Sequence, residues 1–221
     1  MNETRSHKRL RSQAAERKRV VRITRKVSST LGNDFFQSLV KHVADALRAD
    51  CVYIGELFHG PVARIATLAV CLNGEWAQDF EQDLSGTACE HVVADGNCAY
   101  NLDVIELFPL DPVLERQRAQ AFVGYRLNDS AGQVLGALAA VNRQPLADVE
   151  LAKSVLEAFV PRAAAELERK CDHDSLRRAD ERHRAFIASS MDAMWRIEFE
   201  KPIPVHLAEE EQIEMLIATV T

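Results

Sequence analysis

The chain has 221 residues, 47% of them hydrophobic, which is enough to bury a full core and excludes wholesale disorder. No run approaches the roughly 18 apolar residues of a membrane span, and the charged N-terminus lacks the apolar stretch of a secretory signal, so a cytoplasmic protein without a membrane partner is the simplest reading. Five cysteines form an odd set with no Cys-x-x-Cys pair, which argues against a disulfide framework and a zinc knuckle alike.

The net charge of -6 conceals a basic arm: residues 1–26 hold ten Lys or Arg against two Glu, and the remainder holds seventeen against thirty-one acidic residues. Such an arm suits nucleic acid or anionic lipid. It has no aromatic residue for base stacking, however, and a solvated helix face is the favoured reading. Within residues 1–31, Val20, Ile23, Val27 and Leu31 make a narrow stripe at helical spacing, suited to a partner helix. Gly32-Asn33 ends that pattern. Asn33 or Asp34 can then cap a second helix, whose apolar face is Phe35, Phe36, Leu39, Val40, Val43 and Leu47.

Two apolar runs, 51–58 and 62–72, joined by His59-Gly60-Pro61, read as a β-hairpin. Asn73-Gly74 marks a tight turn into a third strand over 75–80. Thr87 caps a short helix that closes at Asp95-Gly96, and a strand over 97–101 comes next. Residues 103–107 and 112–115 each read as a helical turn. The last hairpin pairs 121–127 with 134–141, and its second strand, apolar on both faces, belongs in the middle of the sheet. Six strands flanked by helices predict an α+β sandwich. Asp148 caps a long helix with Val149, Ala152, Leu156, Phe159, Val160, Ala163 and Leu167 on its apolar side. Pro161 is expected to interrupt or kink it, at about 3 kcal/mol. Past Leu167 the stripe thins into dense charge, the pattern of an exposed helix or two-stranded coiled coil.

Three stretches carry a family likeness. Leu84-Ser85-Gly86-Thr87-Ala88-Cys89-Glu90-His91-Val92 comes first, and Leu107-Phe108-Pro109 with Asp111 comes next. Gly124-Tyr125-Arg126-Leu127 with Ser130-Ala131-Gly132 completes the set. Over residues 34–169 their order and wording resemble a GAF domain, a ligand-sensing module of signalling proteins. Two departures are Ala88, where close relatives carry Pro, and Pro161, where they carry a helix former. Residues 186–199 resemble the opening of a PAS domain, of which 186–221 would be a truncated piece, with 170–185 as a connecting signalling helix.

The resemblance implies a non-enzymatic module that binds a small molecule between the sheet and residues 86–114. Its cofactor is left unassigned. It also implies a homodimer through the terminal helices and an output domain elsewhere in a longer protein. Trp76, Cys89, His91, Phe108 and Tyr125 are the residues placed near the ligand. Cys89 and His91, two apart on a helix, do not face each other, which disfavours metal binding or Cys-His catalysis through that pair. Nothing selects His42, His59 or His91 as a haem ligand, and no Asp-Ile-Pro run marks bilin attachment. The alternatives are a GAF-fold methionine sulfoxide reductase using Cys89 and Cys98, and nucleic-acid binding by the basic arm.

Overall fold

The structure is a computed structural model that describes residues 32–189. The expected basic helix of residues 1–31, with its nucleic-acid reading, and all but the first four residues of the PAS-like stretch lie outside them. Two compact units divide at Ser175 and Leu176, and residues 32–175 belong to the unit that holds the sheet.

Helix α1 (Asn33–Leu47) forms where the sequence places it. Phe35, Phe36, Leu39, Val40 and Val43 are fully buried, each worth about 1.5–3 kcal/mol on folding. Its cap is not the expected side chain. Gly32 occupies the N-cap, its carbonyl receives the N–H groups of Phe35 and Phe36, and no side-chain oxygen caps the helix. The Gly32 N–H donates to Glu166 instead, at 2.5 Å.

Strands β1 (Cys51–Phe58) and β2 (Arg64–Leu72) make the first hairpin. Asn73 and Gly74 both have positive φ (50° and 81°), the geometry a two-residue turn demands. Beyond the turn the expected third strand is two short ones, β3 (Glu75–Ala77) and β4 (Glu81–Asp83), both antiparallel to β2. The break has its cause on the neighbouring strand. The Phe80 N–H goes to the Thr67 hydroxyl at 2.8 Å instead of a ladder carbonyl. The sheet therefore has seven strands, not six.

Helix α2 (Ala88–Asp95) is capped by Thr87, which accepts from the Glu90 N–H. After β5 (Asn97–Tyr100) come the short helices α3 (Val104–Leu107) and α4 (Pro112–Gln117). Strands β6 (Ala121–Asn128) and β7 (Val134–Asn142) form the closing hairpin. The order β3-β2-β1-β7-β6-β5, all antiparallel, puts β7 in the interior, as its two apolar faces require.

Helix α5 (Val149–Ser189) begins at Asp148, whose carboxylate accepts from the Leu151 N–H at 2.9 Å. Pro161 does not interrupt it. Pro161 and Glu157, whose carbonyl loses its partner, are both on the exposed side where water can serve, while Phe159, Ala163, Ala164 and Leu167 hold the opposite side in the core. From residue 176 to 187 every side chain is exposed.

The result is two cores on one sheet. On one face α1 and the first half of α5 pack over Val52, Ile54, Cys71, Val123, Leu138 and Ala140. On the other, α2, α3 and α4 pack over Tyr53, Ile65, Phe122, Ala137, Ala139 and Val141.

Helix α5 is also tied to the sheet by polar contacts. Lys170 Nζ bridges Glu56 at 2.8 Å and Asp174 at 2.7 Å, and Ser130 at the β6–β7 turn donates its N–H and hydroxyl to Glu168. Glu166 holds Arg169 as well as Gly32. Burial works against the charge there, yet these two donors hold the Glu166 carboxyl below its usual range. Lys170→Met keeps the stem and leaves the nearly buried Glu56 carboxylate with the weak Cys171 thiol donor in place of a cation. A lost buried partner costs about 3–5 kcal/mol; the lysine here is a quarter exposed, so about 2 kcal/mol is expected, read as a lower urea midpoint.

Candidate functional site

The face opposite α1 and α5 carries the candidate site. Alternation along β1 turns Tyr53 toward this face, and its hydroxyl lies 3.1 Å from Cys89 Sγ, both side chains being fully buried. The Tyr53 ring meets Phe80 edge to face, with centroids 5.3 Å apart. Burial pushes the Tyr53 phenol well up, and it pushes the Cys89 thiol up to about 12 against the opposing hydrogen bond from Tyr53. Cys98 is likewise raised to about 12 by burial. Both sulfurs are held as thiols at neutral pH, the state in which they are poor nucleophiles.

Nearer solvent, His91, Tyr100 and Phe108 form a mutual aromatic cluster. His91 and Phe108 centroids are 4.9 Å apart and those of Tyr100 and Phe108 5.1 Å, all edge to face. Tyr100 Oη lies 3.0 Å from His91 Nδ1. Cys89 and His91 point apart as their spacing requires, one into the core and one into this outer cluster. No group of three or more His, Cys, Asp or Glu among the described residues could hold a metal ion.

Asp111 frames the site. Its carboxylate accepts from Val113 and Leu114 at the start of α4, and from Ala88, the first residue of α2, at 3.1 Å. One buried side chain thus serves two helix N-termini. At the other end of α2, the Arg126 guanidinium donates to the carbonyls of Val93 and Ala94, a cation placed where the helix dipole favours it.

Of the five residues expected near a ligand, Cys89, His91 and Phe108 gather here. Trp76 and Tyr125 do not. Trp76 pairs with Cys71, which belongs to the core under α1, and Lys41 of α1 reaches over its half-exposed ring at 5.6 Å. Tyr125 pairs with Leu138 of that same core, and its phenol is raised by burial, then by Glu157 and Glu150 of α5. Cross-strand partners share a face, so both sit beside the helices, on the far side of the sheet from Cys89. Tyr53, Tyr100 and Phe80 are the neighbours the sequence did not single out. Tyr100 was findable, two residues from Cys98 on one short strand.

No protein-family model matches the chain, and no curated protein matches it. Solved structures do. The GAF domain of a phosphoenolpyruvate-protein phosphotransferase from Acinetobacter superposes with a TM-score of 0.57 at 19% identity, over 73% of this chain and 98% of that one. The fold is GAF-like. Free methionine-R-sulfoxide reductase from Neisseria meningitidis, in complex with its substrate, shares this GAF-like fold with a TM-score of 0.56 at 14% identity, over 70% and 89% of the two chains. So does the phycocyanobilin-bound GAF domain of a cyanobacterial phytochrome, at 0.53 and 14%, over 70% and 94%. At these identities the likeness concerns the fold. The GAF-like sheet and its helices are those expected from the Gly86-Thr87, Phe108-Pro109 and Gly124-Tyr125 stretches, with the extra short strand β4.

Proposed function

We propose that this chain is the small-molecule-sensing module of a cytoplasmic signal-transduction protein, with no catalysis of its own. The observation that carries the reading is the placement of unlike cores on the two faces of one sheet. One face holds the Tyr53–Cys89 pair under the His91, Tyr100 and Phe108 cluster, carried on short helices and loops. The other face holds the long α5, tied to the sheet at Glu56 and Ser130. A ligand entering beside Phe108 and Cys89 shifts α2 to α4 against the sheet, and the ties at Lys170 and Glu168 pass the shift to α5. Such a relay works only when the ligand binds two arrangements of these elements with different affinity.

In this reading the terminal helices pair two copies, and residues from 186 onward begin a PAS domain. The output, a sensor kinase, a cyclic-di-GMP enzyme or a transcription regulator, lies elsewhere in the full-length protein. The reductase alternative has the Neisseria likeness in its favour. It is weakened by burial of Cys89 and Cys98, which leaves little thiolate for redox chemistry.

Native mass spectrometry of the purified chain, with an absorbance spectrum of the same sample, tests the proposal. A dimer that retains a small molecule, or takes one from a metabolite set, is the expected result. A strict monomer that takes none defeats it.

A further inference from the structure

Strand β4 has the burial pattern exposed, buried, exposed, and the inward position is an amide, Gln82. Ile65 stands directly opposite it on β2, in the core that contains Tyr53, Cys89, Leu84 and Phe108, so Gln82 faces the site side of the sheet. Its flanks are fixed: Arg64 pairs with Glu81 at 2.8 Å, and the Leu84 N–H donates to the Ala63 carbonyl. Gln82 is only 7% exposed, and neither Nε2 nor Oε1 has a hydrogen-bond partner. A strand position of this kind ordinarily takes a Val or Leu. A buried carboxamide with both donor and acceptor unmet is costly, and native structures keep such groups where something else satisfies them.

We infer that Gln82 is the polar anchor of the ligand site, and that its ligand is an uncharged planar molecule bearing a carbonyl beside an N–H. Lactams, primary carboxamides and the oxo nucleobases such as uracil and guanine share that edge. A glutamine amide presents one acceptor and one donor in a single plane, and such an edge meets both at once. The surroundings select a flat, neutral body. Ile65 and Leu84 are apolar, and the rings of Tyr53 and Phe80 lie in the same core. Among the described residues no Lys or Arg is buried, and Arg126, which gives its Nη1 to the end of α2, lies on β6, separated from β4 by β2, β1 and β7. A phosphate or carboxylate brought there would lose its hydration without a cation to replace it.

The inference rests on the reading of this face as a ligand site and narrows it to one chemistry. Uracil and nicotinamide are the probes, and 1,3-dimethyluracil, which keeps the ring and loses both N–H groups, is the control. Binding is followed on the whole chain by melting temperature and by the side-chain NH2 signals of ¹⁵N-labelled glutamine. At a few millimolar probe, uracil or nicotinamide is expected to raise the melting temperature and move the Gln82 signal, with dimethyluracil at least about tenfold weaker. Gln82→Leu is expected to weaken binding by at least about tenfold while melting no lower than the wild type without probe.

Equal binding by Gln82→Leu, with the signals of His91 and Tyr53 still moving, would leave the site standing and remove Gln82 from it. A lower melting temperature of Gln82→Leu without probe would show the amide already satisfied within the protein, and the inference would fall. Binding only of charged compounds from a metabolite set would overturn the ligand chemistry alone. Binding of nothing from that set would remove the sensing reading as well.

Discussion

Gly136→Ala is expected to be the most damaging single substitution in the sheet. A Cβ at this position would lie 2.0 Å from the Gly55 carbonyl oxygen, 3.0 Å from its carbon and 3.2 Å from Glu56 Cα. All three are backbone atoms of β1, the strand paired with β7 at the centre of the sheet, so no side chain can swing aside. The neighbourhood is already irregular: the β1–β2 register shifts between Ile54 and Gly55. Relief requires β1 and β7 to part, which loosens both cores at once. Overpacking in a core costs about 1–3 kcal/mol where side chains can give, so about 3 kcal/mol or more applies here. For a chain of this size that lowers the melting temperature by roughly 6–12 °C or yields insoluble protein. Gly132→Ala is the control. Its φ of +85° also disfavours a side chain, but a Cβ there meets nothing within 4 Å. It should cost only the backbone term of about 1–2 kcal/mol. Equal losses in the two variants, measured by urea denaturation, would show that contact with β1 is not the cause.

The elements of this fold were legible where a side chain's local chemistry decides the structure. Thr87 and Asp148 cap the helices they were expected to cap, because a hydroxyl or carboxylate reaching the first free N–H groups is a local event. Asn73-Gly74 turns the chain for the same kind of reason. The errors fell where the answer depends on something distant in the chain. Gly32 takes the cap of α1 because Glu166, 134 residues away, binds its N–H. The third strand splits because Thr67 captures Phe80, which the run from Glu75 to Phe80 does not reveal.

The site divides in the same way. Cys89, His91 and Phe108, taken from the loop stretches that carry the family likeness, fall together on one side of the sheet, since those segments have one face to offer. Tyr125 was not, because β6 is apolar on both sides and nothing in Phe122-Val123-Gly124-Tyr125 says which parity looks toward α2. A single residue of register decides whether the phenol lies by the candidate-site face or by α5. Trp76 sits on a three-residue edge strand, too short for its pattern to declare a face. Asp111 was read as part of a family stretch. Its reach to Ala88, 23 residues away, is a property of the packed molecule alone.

Asp111→Ala is expected to unfasten α2 from α4 and, with them, the roof of the candidate site. The carboxylate is 1% exposed and accepts three backbone N–H groups, two in its own helix and one in α2. Loss of a cap costs about 0.5–2 kcal/mol, and the Ala88 N–H left buried without a partner adds about 1–3 kcal/mol, so about 3 kcal/mol is expected overall. Asp111→Asn keeps the shape and one acceptor, but sets an NH2 group or a lost bond against one of the three donors, for about half that loss. The two forms should also differ in pH dependence. Burial pushes the Asp111 carboxyl up, more than its three N–H donors pull it down. Its folded pKa therefore lies above the unfolded one, so its contribution to stability is complete below the unfolded value and is lost as pH rises through the folded value. Asparagine has no such dependence. The stability advantage of the wild type over Asp111→Asn should accordingly be largest at acid pH and shrink as pH climbs past the ordinary carboxylate range, measured by urea denaturation of both proteins across that window. An advantage that grows with pH would mean that the three N–H donors outweigh burial and hold the carboxyl down.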